Sequence, residues 1–201
     1  MVVVGITGGL STGKSTVAQM FKQKGAVVLS ADKIAHDLMS SGGKCVGPIV
    51  KTFGKKVYHR GGIHRRRLAQ LVFRSKPKLK KLEGLIHPEV KKVFQRRISE
   101  LREKKSRKIL MLEVPLLFEV KMDKLVEVVI VVHASRKKQV KRAVKKLKIS
   151  EEESIKRIQA QIPLKEKIKL ADFVIDNNDT KKQLRKKVTY IWQKLQQNQR
   201  T

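Results

Sequence analysis

The chain has 201 residues, 40% of them hydrophobic, enough for one domain with a sizeable core and room for insertions. No apolar run approaches the roughly 18 residues that a membrane-crossing helix needs, and Met1 leads straight into a strand candidate, so neither membrane insertion nor a cleavable signal is expected. Lys and Arg number 48 against 17 Asp and Glu, a formal +31, and such a field attracts polyanions. In chain order, Val2-Val3-Val4-Gly5-Ile6-Thr7 is the short β-branched run of a buried parallel strand. Gly8 to Ser15 then matches G-x-x-x-x-G-K-[ST], and Thr16 to Lys24 has helical spacing, with Val17, Met20 and Phe21 on one face. Further strands are predicted at Ala26–Ser30, Ile109–Val114, Val126–His133 and Phe173–Ile175, with helical patterns between them. That alternation predicts βαβ units and a mainly parallel sheet with helices on both faces. Residues about 60–105 read as a basic helical insertion, and about 136–165 as a charged helical hairpin. The closing helix, Lys181–Gln197, carries Leu184, Val188, Ile191, Trp192 and Leu195 at helical spacing, and Trp192 reads as a core anchor.

Strand, glycine-rich loop and helix occur in the order a phosphate-binding loop requires. Backbone N–H groups from Gly9, Leu10, Ser11, Thr12 and Gly13, with the helix start at Lys14, Ser15 and Thr16, face an anion. Lys14 adds a positive charge that serves both binding and transfer, and Ser15 offers a hydroxyl to Mg²⁺. The co-substrate expected is therefore a nucleoside triphosphate. No Asn-Lys-x-Asp guanine signature is present, which weakens a GTPase, and two insertions around a small sheet suit a compact kinase. Basic residues are spread through the chain, often alternating with apolar ones as in Lys137–Lys146, without zinc-binding spacing or an aromatic-rich motif. They read as solvated helix faces, and no dedicated nucleic-acid partner is expected. Cys45 is the one cysteine and cannot form an internal disulfide, which fits a reducing cytoplasm.

Several further segments resemble the dephospho-CoA kinase family across nearly the whole chain. These are Gly5-Ile6-Thr7-Gly8-Gly9-Leu10 with Gly13-Lys14-Ser15-Thr16, then Ala31-Asp32-Lys33-Ile34-Ala35, then Arg65 with Leu68–Phe73 and Ile86-His87-Pro88. Pro115-Leu116-Leu117-Phe118-Glu119 follows, then Gln139 with Arg142, Arg157 with Gln161, and Ala171-Asp172-Phe173-Val174-Ile175-Asp176-Asn177. The resemblance implies a three-layer α/β P-loop kinase fold with a parallel central sheet: a core at about 1–59, 106–135 and 166–201, an acceptor-binding insertion at about 60–105 and a lid at about 136–165. It implies transfer of the ATP γ-phosphoryl, with Mg²⁺, to the ribose 3′-hydroxyl of dephospho-CoA, the final step of coenzyme A synthesis. The chain departs from the family pattern at Ser11, where Gly is frequent, at Ser30 and His64, where acidic or Asn residues are usual, and at Lys146, where a second Arg is common.

Asp32, just past the second strand, is the candidate base for the acceptor hydroxyl, with helix capping as its structural alternative. Glu113 either holds Mg²⁺ through water or binds a loop backbone group. Arg142 and Arg157 are candidate cations for the transferring phosphate, since a guanidinium matches phosphate oxygens better than a point charge. Arg65 is the candidate acceptor contact, with Arg66 and Arg67 as rivals, and His87 either shapes the acceptor pocket or bonds within a turn. Asn177 either contacts adenine or serves as a turn residue, and Glu119 either ends a helix or lines the acceptor cleft. His36, His59 and His133 lack metal-ligand spacing and read as ordinary polar residues. Two rival functions remain open in the residues alone: a nucleoside or nucleotide kinase of related fold, and a nucleic-acid-binding P-loop ATPase.

Overall fold

The computed structural model describes residues 1–73 and 75–197. In chain order the elements are β1 (Val2–Gly8), α1 (Lys14–Gln23), β2 (Val27–Ser30), α2 (Ala31–Met39), α3 (Val46–Phe53), β3 (Tyr58–His59), β4 (Gly62–Ile63), α4 (Arg65–Val72), α5 (Lys76–Glu103), β5 (Ile109–Glu113), β6 (Val128–His133), α6 (Arg136–Leu147), α7 (Glu151–Gln159), α8 (Leu164–Lys169), β7 (Phe173–Asp176) and α9 (Lys181–Gln197). They form two compact units: Met1–Ser30 with Ile98–Thr201, and Ala31–Arg97.

The first unit holds a five-stranded sheet in the order β2-β5-β1-β6-β7. Every neighbouring pair is parallel, with Val4 opposite both Met111 and Val128. Central parallel strands are buried on both faces, which is why β1 and β5 read as unbroken apolar runs and not as alternations. One face of the sheet presents Val4, Ile6, Met111, Ile130, Val132 and Ile175. Against it pack Val17, Ala18 and Phe21 of α1 and Leu184, Val188, Ile191 and Leu195 of α9. Trp192 lies beside Phe21, ring centroids 6.4 Å apart, as the core anchor its spacing predicts. The alternate residues Val3, Leu110, Leu112 and Val131 are fully buried on the opposite face, where α8 meets β6. Gly5 also belongs to that face: a Cβ there would stand 3.0 Å from Leu117 and 3.2 Å from Val126. Helices thus cover both sides of a parallel sheet, the expected three-layer arrangement.

From β1 the chain runs to β2 on one side of the sheet, returns through β5 beside β1, and crosses to β6 and β7 on the other. The carboxyl end of β1 is therefore the switch point, the place where ligands sit in open α/β sheets.

The second unit contains α2, α3, a 3₁₀ turn at Lys55–Val57, the β3–β4 hairpin, α4 and α5 up to Arg97. Its buried apolar residues include Leu38, Cys45, Ile49, Val57, Leu68, Val72, Val90 and Phe94. The hairpin was not expected, because two-residue strands carry no readable period. Its turn uses Arg60 and Gly61 at φ 45° and 81°, the left-handed pair that two-residue hairpins need. Helix α5 runs through Pro88, and the missing amide there does not end it.

Candidate active site

The site begins with the four backbone N–H groups that any helix leaves unpaired at its start. Helix α1 opens on Gly13 with no side-chain cap and no acidic residue in its first turn. Its positive end is thus left for an external anion. Gly13 has φ 100°, and a Cβ there would run into the Asn177 side-chain amide. Glycine is needed at this position for both reasons. Ser11 also adopts a left-handed φ of 53°, so the residue that replaces the frequent glycine keeps the turn at a cost of about 1–2 kcal/mol.

The loop is braced from behind. Thr12 is fully buried, and its hydroxyl donates to the Gly9 carbonyl at 3.0 Å. The Thr12 carbonyl accepts from Asn177 Nδ2 at 2.7 Å and from Arg142 Nη1 at 3.3 Å, while Arg142 Nη2 donates to the Asn177 carbonyl at 3.0 Å. Helix α6 and the end of β7 therefore hold the loop's shape together, and the sequence-predicted residues Arg142 and Asn177 stand at the loop. Gln139, also on α6, donates to the Ala134 carbonyl at 2.9 Å. Its buried Oε1 makes no hydrogen bond and points at Gly9, where a Cβ would be 2.7 Å away.

Lys14 is buried and folds back onto the loop, its Nζ donating to the carbonyls of Gly8 at 3.1 Å and Gly9 at 2.8 Å. Ser15 Oγ donates to Glu113 Oε1 at 2.6 Å. Glu113 ends β5 beside β1 and is buried, so the parallel pairing of these strands brings a carboxylate to the start of α1. Neither sequence alternative for Glu113, Mg²⁺ through water or a backbone group, named this serine as its partner. A hydroxyl and a carboxylate together are the hard oxygen donors that suit Mg²⁺, an ion that keeps several waters and a phosphate. No cluster of three or more His, Cys, Asp or Glu side chains placed to hold a metal ion exists among the described residues.

Alongside the loop lies a groove of about 320 Å³ lined by Ser15, Thr16, Gln19, Met20, Gln23, Lys181 and Arg185. It begins at the anion-binding end of α1 and continues between that helix and α9.

The remaining predicted residues are spread over several elements. Arg157 lies on α7, its Nε donating to Glu153 Oε1 at 2.8 Å one turn earlier. Lys146 is exposed in the last turn of α6. Asp32 is exposed in the first turn of α2, one residue inside the helix and not at the capping position.

In the second unit, Arg65 opens α4 with its Nη1 2.8 Å from His36 Nδ1. His36 thus has a specific partner, which its lack of metal spacing did not suggest. Arg67 Nη1 donates to the Lys56 carbonyl at 3.4 Å, and Arg66 is exposed on the same turn. His87 lies inside α5, not in a turn as one alternative had it, and burial holds its pKa below the ordinary value against the opposing pull of Glu83. His59 meets His64 edge to face at 5.6 Å.

His133 Nδ1 sits 3.2 Å from Asp176 Oδ1. Burial raises the Asp176 pKa, but hydrogen bonds from His133 and Asn178 and the charge of Lys187 outweigh it and bring it below the ordinary value. Glu119 does not end a helix, as one alternative had it: its Oε1 accepts from the Ile162 amide at 3.1 Å and pairs with Lys167 Nζ at 2.7 Å. Lys167 was missed altogether, since in sequence it is one lysine of a basic stretch.

Comparisons with known proteins point to one family. Residues 2–183 match the family model for dephospho-CoA kinase. The chain is 39% identical to a dephospho-CoA kinase of Carboxydothermus hydrogenoformans over 193 residues, which cover 96% of this chain and 93% of that one. Among solved structures, a Thermus thermophilus protein superposes with a TM-score of 0.80 at 31% identity, covering 96% of this chain and 97% of that one. A dephospho-CoA kinase from Campylobacter jejuni superposes at 0.66 and 26% identity, with 96% of both chains covered.

Proposed function

Because the chain belongs to the dephospho-CoA kinase family, we propose that phosphoryl transfer from ATP to the acceptor 3′-hydroxyl runs through the loop Gly9–Thr16 with Asp32 as general base. The activity itself is that of the family: ATP-dependent phosphorylation of dephospho-CoA to coenzyme A. The observation that carries the site assignment is the Lys14, Ser15 and Glu113 group at the start of α1, braced by Arg142 and Asn177.

In this reading the N–H groups of Gly9–Thr16 and the Lys14 ammonium hold the β- and γ-phosphoryl oxygens, with Lys14 leaving its two carbonyl partners for the anion. The groove beside α1 takes the nucleoside of ATP, since its volume lies in the range of small-ligand pockets. Ser15 would hold Mg²⁺ directly and Glu113 through coordinated water, and Mg²⁺ neutralises charge on the phosphoryl oxygens. Asn177 contributes to nucleotide binding by fixing the Thr12 carbonyl. Asp32 orients the 3′-hydroxyl and accepts its proton as the oxygen attacks the γ-phosphorus and ADP departs. Arg142 and Arg157 stabilise charge on the phosphoryl group in flight. Residues about 60–105 grip the acceptor, with Arg65 on its phosphates and His87 shaping its pocket, and residues about 136–165 form the lid. The single cysteine, with ATP and dephospho-CoA as substrates, suits an enzyme of the reducing cytoplasm.

The test is to incubate the protein with MgATP and dephospho-CoA, a nucleoside or a nucleoside monophosphate, and to locate the phosphate in each product. Coenzyme A carrying the new phosphate on the ribose 3′-oxygen is expected. Phosphorylation of the nucleoside or monophosphate alone would overturn the acceptor assignment.

A further inference from the structure

Among the described residues, Lys167 is the one lysine in the set of fully buried large side chains, with no exposed surface at all. A lysine is rarely fully buried, and burying its charge is unfavourable unless the ammonium is paired and hydrogen-bonded. Its Nζ meets Glu119 Oε1 at 2.7 Å and donates to the Pro115 carbonyl at 3.2 Å. Both partners lie on the segment that follows β5, two and six residues past Glu113. The Pro115 carbonyl also accepts from Thr7 Oγ1 at 3.2 Å, and Thr7 is the residue that leads into the phosphate-binding loop. Glu119 Oε1 accepts in addition from the Ile162 amide, in the connection between α7 and α8.

One ammonium and one carboxylate therefore tie α8 and the end of α7 to the strand ends that carry the loop and Glu113. At its other side the same helical stretch is tied to the loop by Arg142. Arg157 lies between the two attachments, five residues before Ile162. Stability alone does not account for the pair, whose lysine is fully buried and whose carboxylate is 18% exposed. Glu119 Oε2 and the neighbouring Gln161 Oε1 are buried acceptors without a hydrogen-bond partner. Apolar side chains of similar volume in place of a buried ion pair are often neutral or stabilising.

We propose that Lys167 and Glu119 are positioning residues for phosphoryl transfer: they anchor the α7–α8 connection to the Pro115–Glu119 segment and so set where Arg157 stands. The inference rests on the reading of Arg157 as a cation for the transferring phosphate. Losing the anchor leaves the loop, Ser15 and Glu113 in place, so the lesion falls on turnover and not on ATP affinity.

The experiment compares the full-length wild type with Lys167→Met/Glu119→Leu, Glu119→Gln and Arg157→Ala, and with Arg157→Ala added to the apolar pair. Turnover with dephospho-CoA, ATP affinity and thermal unfolding are measured at a temperature where every variant is folded. The apolar pair should unfold near the wild-type temperature and bind ATP normally, yet lose about 10-fold or more in kcat. Glu119→Gln leaves the Lys167 ammonium without its counter-charge and should lower the unfolding temperature, but where folded it retains an acceptor for Ile162 and Lys167 and should keep more of kcat than the apolar pair. Adding Arg157→Ala to the apolar pair should cost far less than Arg157→Ala costs the wild type, the non-additivity of residues that act together. Near-normal kcat in the apolar pair, or full additivity with a costly Arg157→Ala, would overturn the anchor. A silent Arg157→Ala in the wild type would instead overturn the Arg157 reading, and with it the proposal's stated route.

Discussion

Replacing Glu113 with Gln keeps the side chain's volume and one acceptor oxygen but removes the charge that faces Ser15. The bond is 2.6 Å long, it ends on a buried carboxylate, and its donor is the hydroxyl assigned to Mg²⁺. A hydrogen bond to a charged group contributes about 1.5–3 kcal/mol and a neutral one about 1 kcal/mol, so the change weakens the Ser15 contact by about 0.5–2 kcal/mol. At 1.4 kcal/mol per tenfold, kcat/KM for ATP at limiting Mg²⁺ should fall by about 2- to 30-fold. The loss should shrink as Mg²⁺ is raised, because the carboxylate acts by favouring the metal at that place. The assay is ADP release with dephospho-CoA over a Mg²⁺ titration at fixed ATP, with circular dichroism to confirm the fold. A Mg²⁺ curve superimposable on that of the wild type would refute the assignment of Glu113 to the metal and leave it as a brace for Ser15 alone.

Two further outcomes follow from single positions. Gly13→Ala combines a left-handed φ with a collision at the Asn177 amide that holds Thr12, and ATP binding measured by calorimetry should fall by at least 10-fold, whereas wild-type affinity would show that the loop shape is not set there. His87 has a folded-state pKa lowered by burial from an ordinary 6.5; above that pH both states are neutral, and as pH falls through it the unfolded chain takes up the proton first, so stability declines. Urea unfolding at pH 7.5 and 5.5 should therefore show an acid-side loss that His87→Gln reduces, and equal losses in the two proteins would exclude His87 as a source.

What could be read from the residues was local. The β1–loop–α1 unit lies within about two dozen consecutive positions, and each part carries its own signal: β-branching, glycines at the turn, and the period of Val17, Met20 and Phe21. The closing helix and its Trp192 were legible for the same reason. Partnerships made by strand pairing were not. Ser15 and Glu113 are 98 residues apart and meet only because β5 pairs with β1. Asn177 and Arg142 were found as candidates, but their joint grip on the Thr12 carbonyl depends on β6 and β7 lying side by side. Lys167 shows the opposite difficulty, since a buried lysine in a stretch of surface lysines carries no signal of its own, and neither did Glu119 indicate its partner. The hairpin at Tyr58–Ile63 went unseen because strands of two residues have no alternation to detect.

The general base is tested most directly by Asp32→Asn, which keeps size and polarity and removes only the group that accepts the proton. Turnover of dephospho-CoA should fall by about 10²–10⁴-fold, the range for a general base. The affinity for MgATP should barely change, because Lys14, Ser15 and the loop backbone hold the phosphates. Near-normal turnover together with a lowered unfolding temperature would contradict the account and make Asp32 a residue that serves the first turn of α2 and not the reaction.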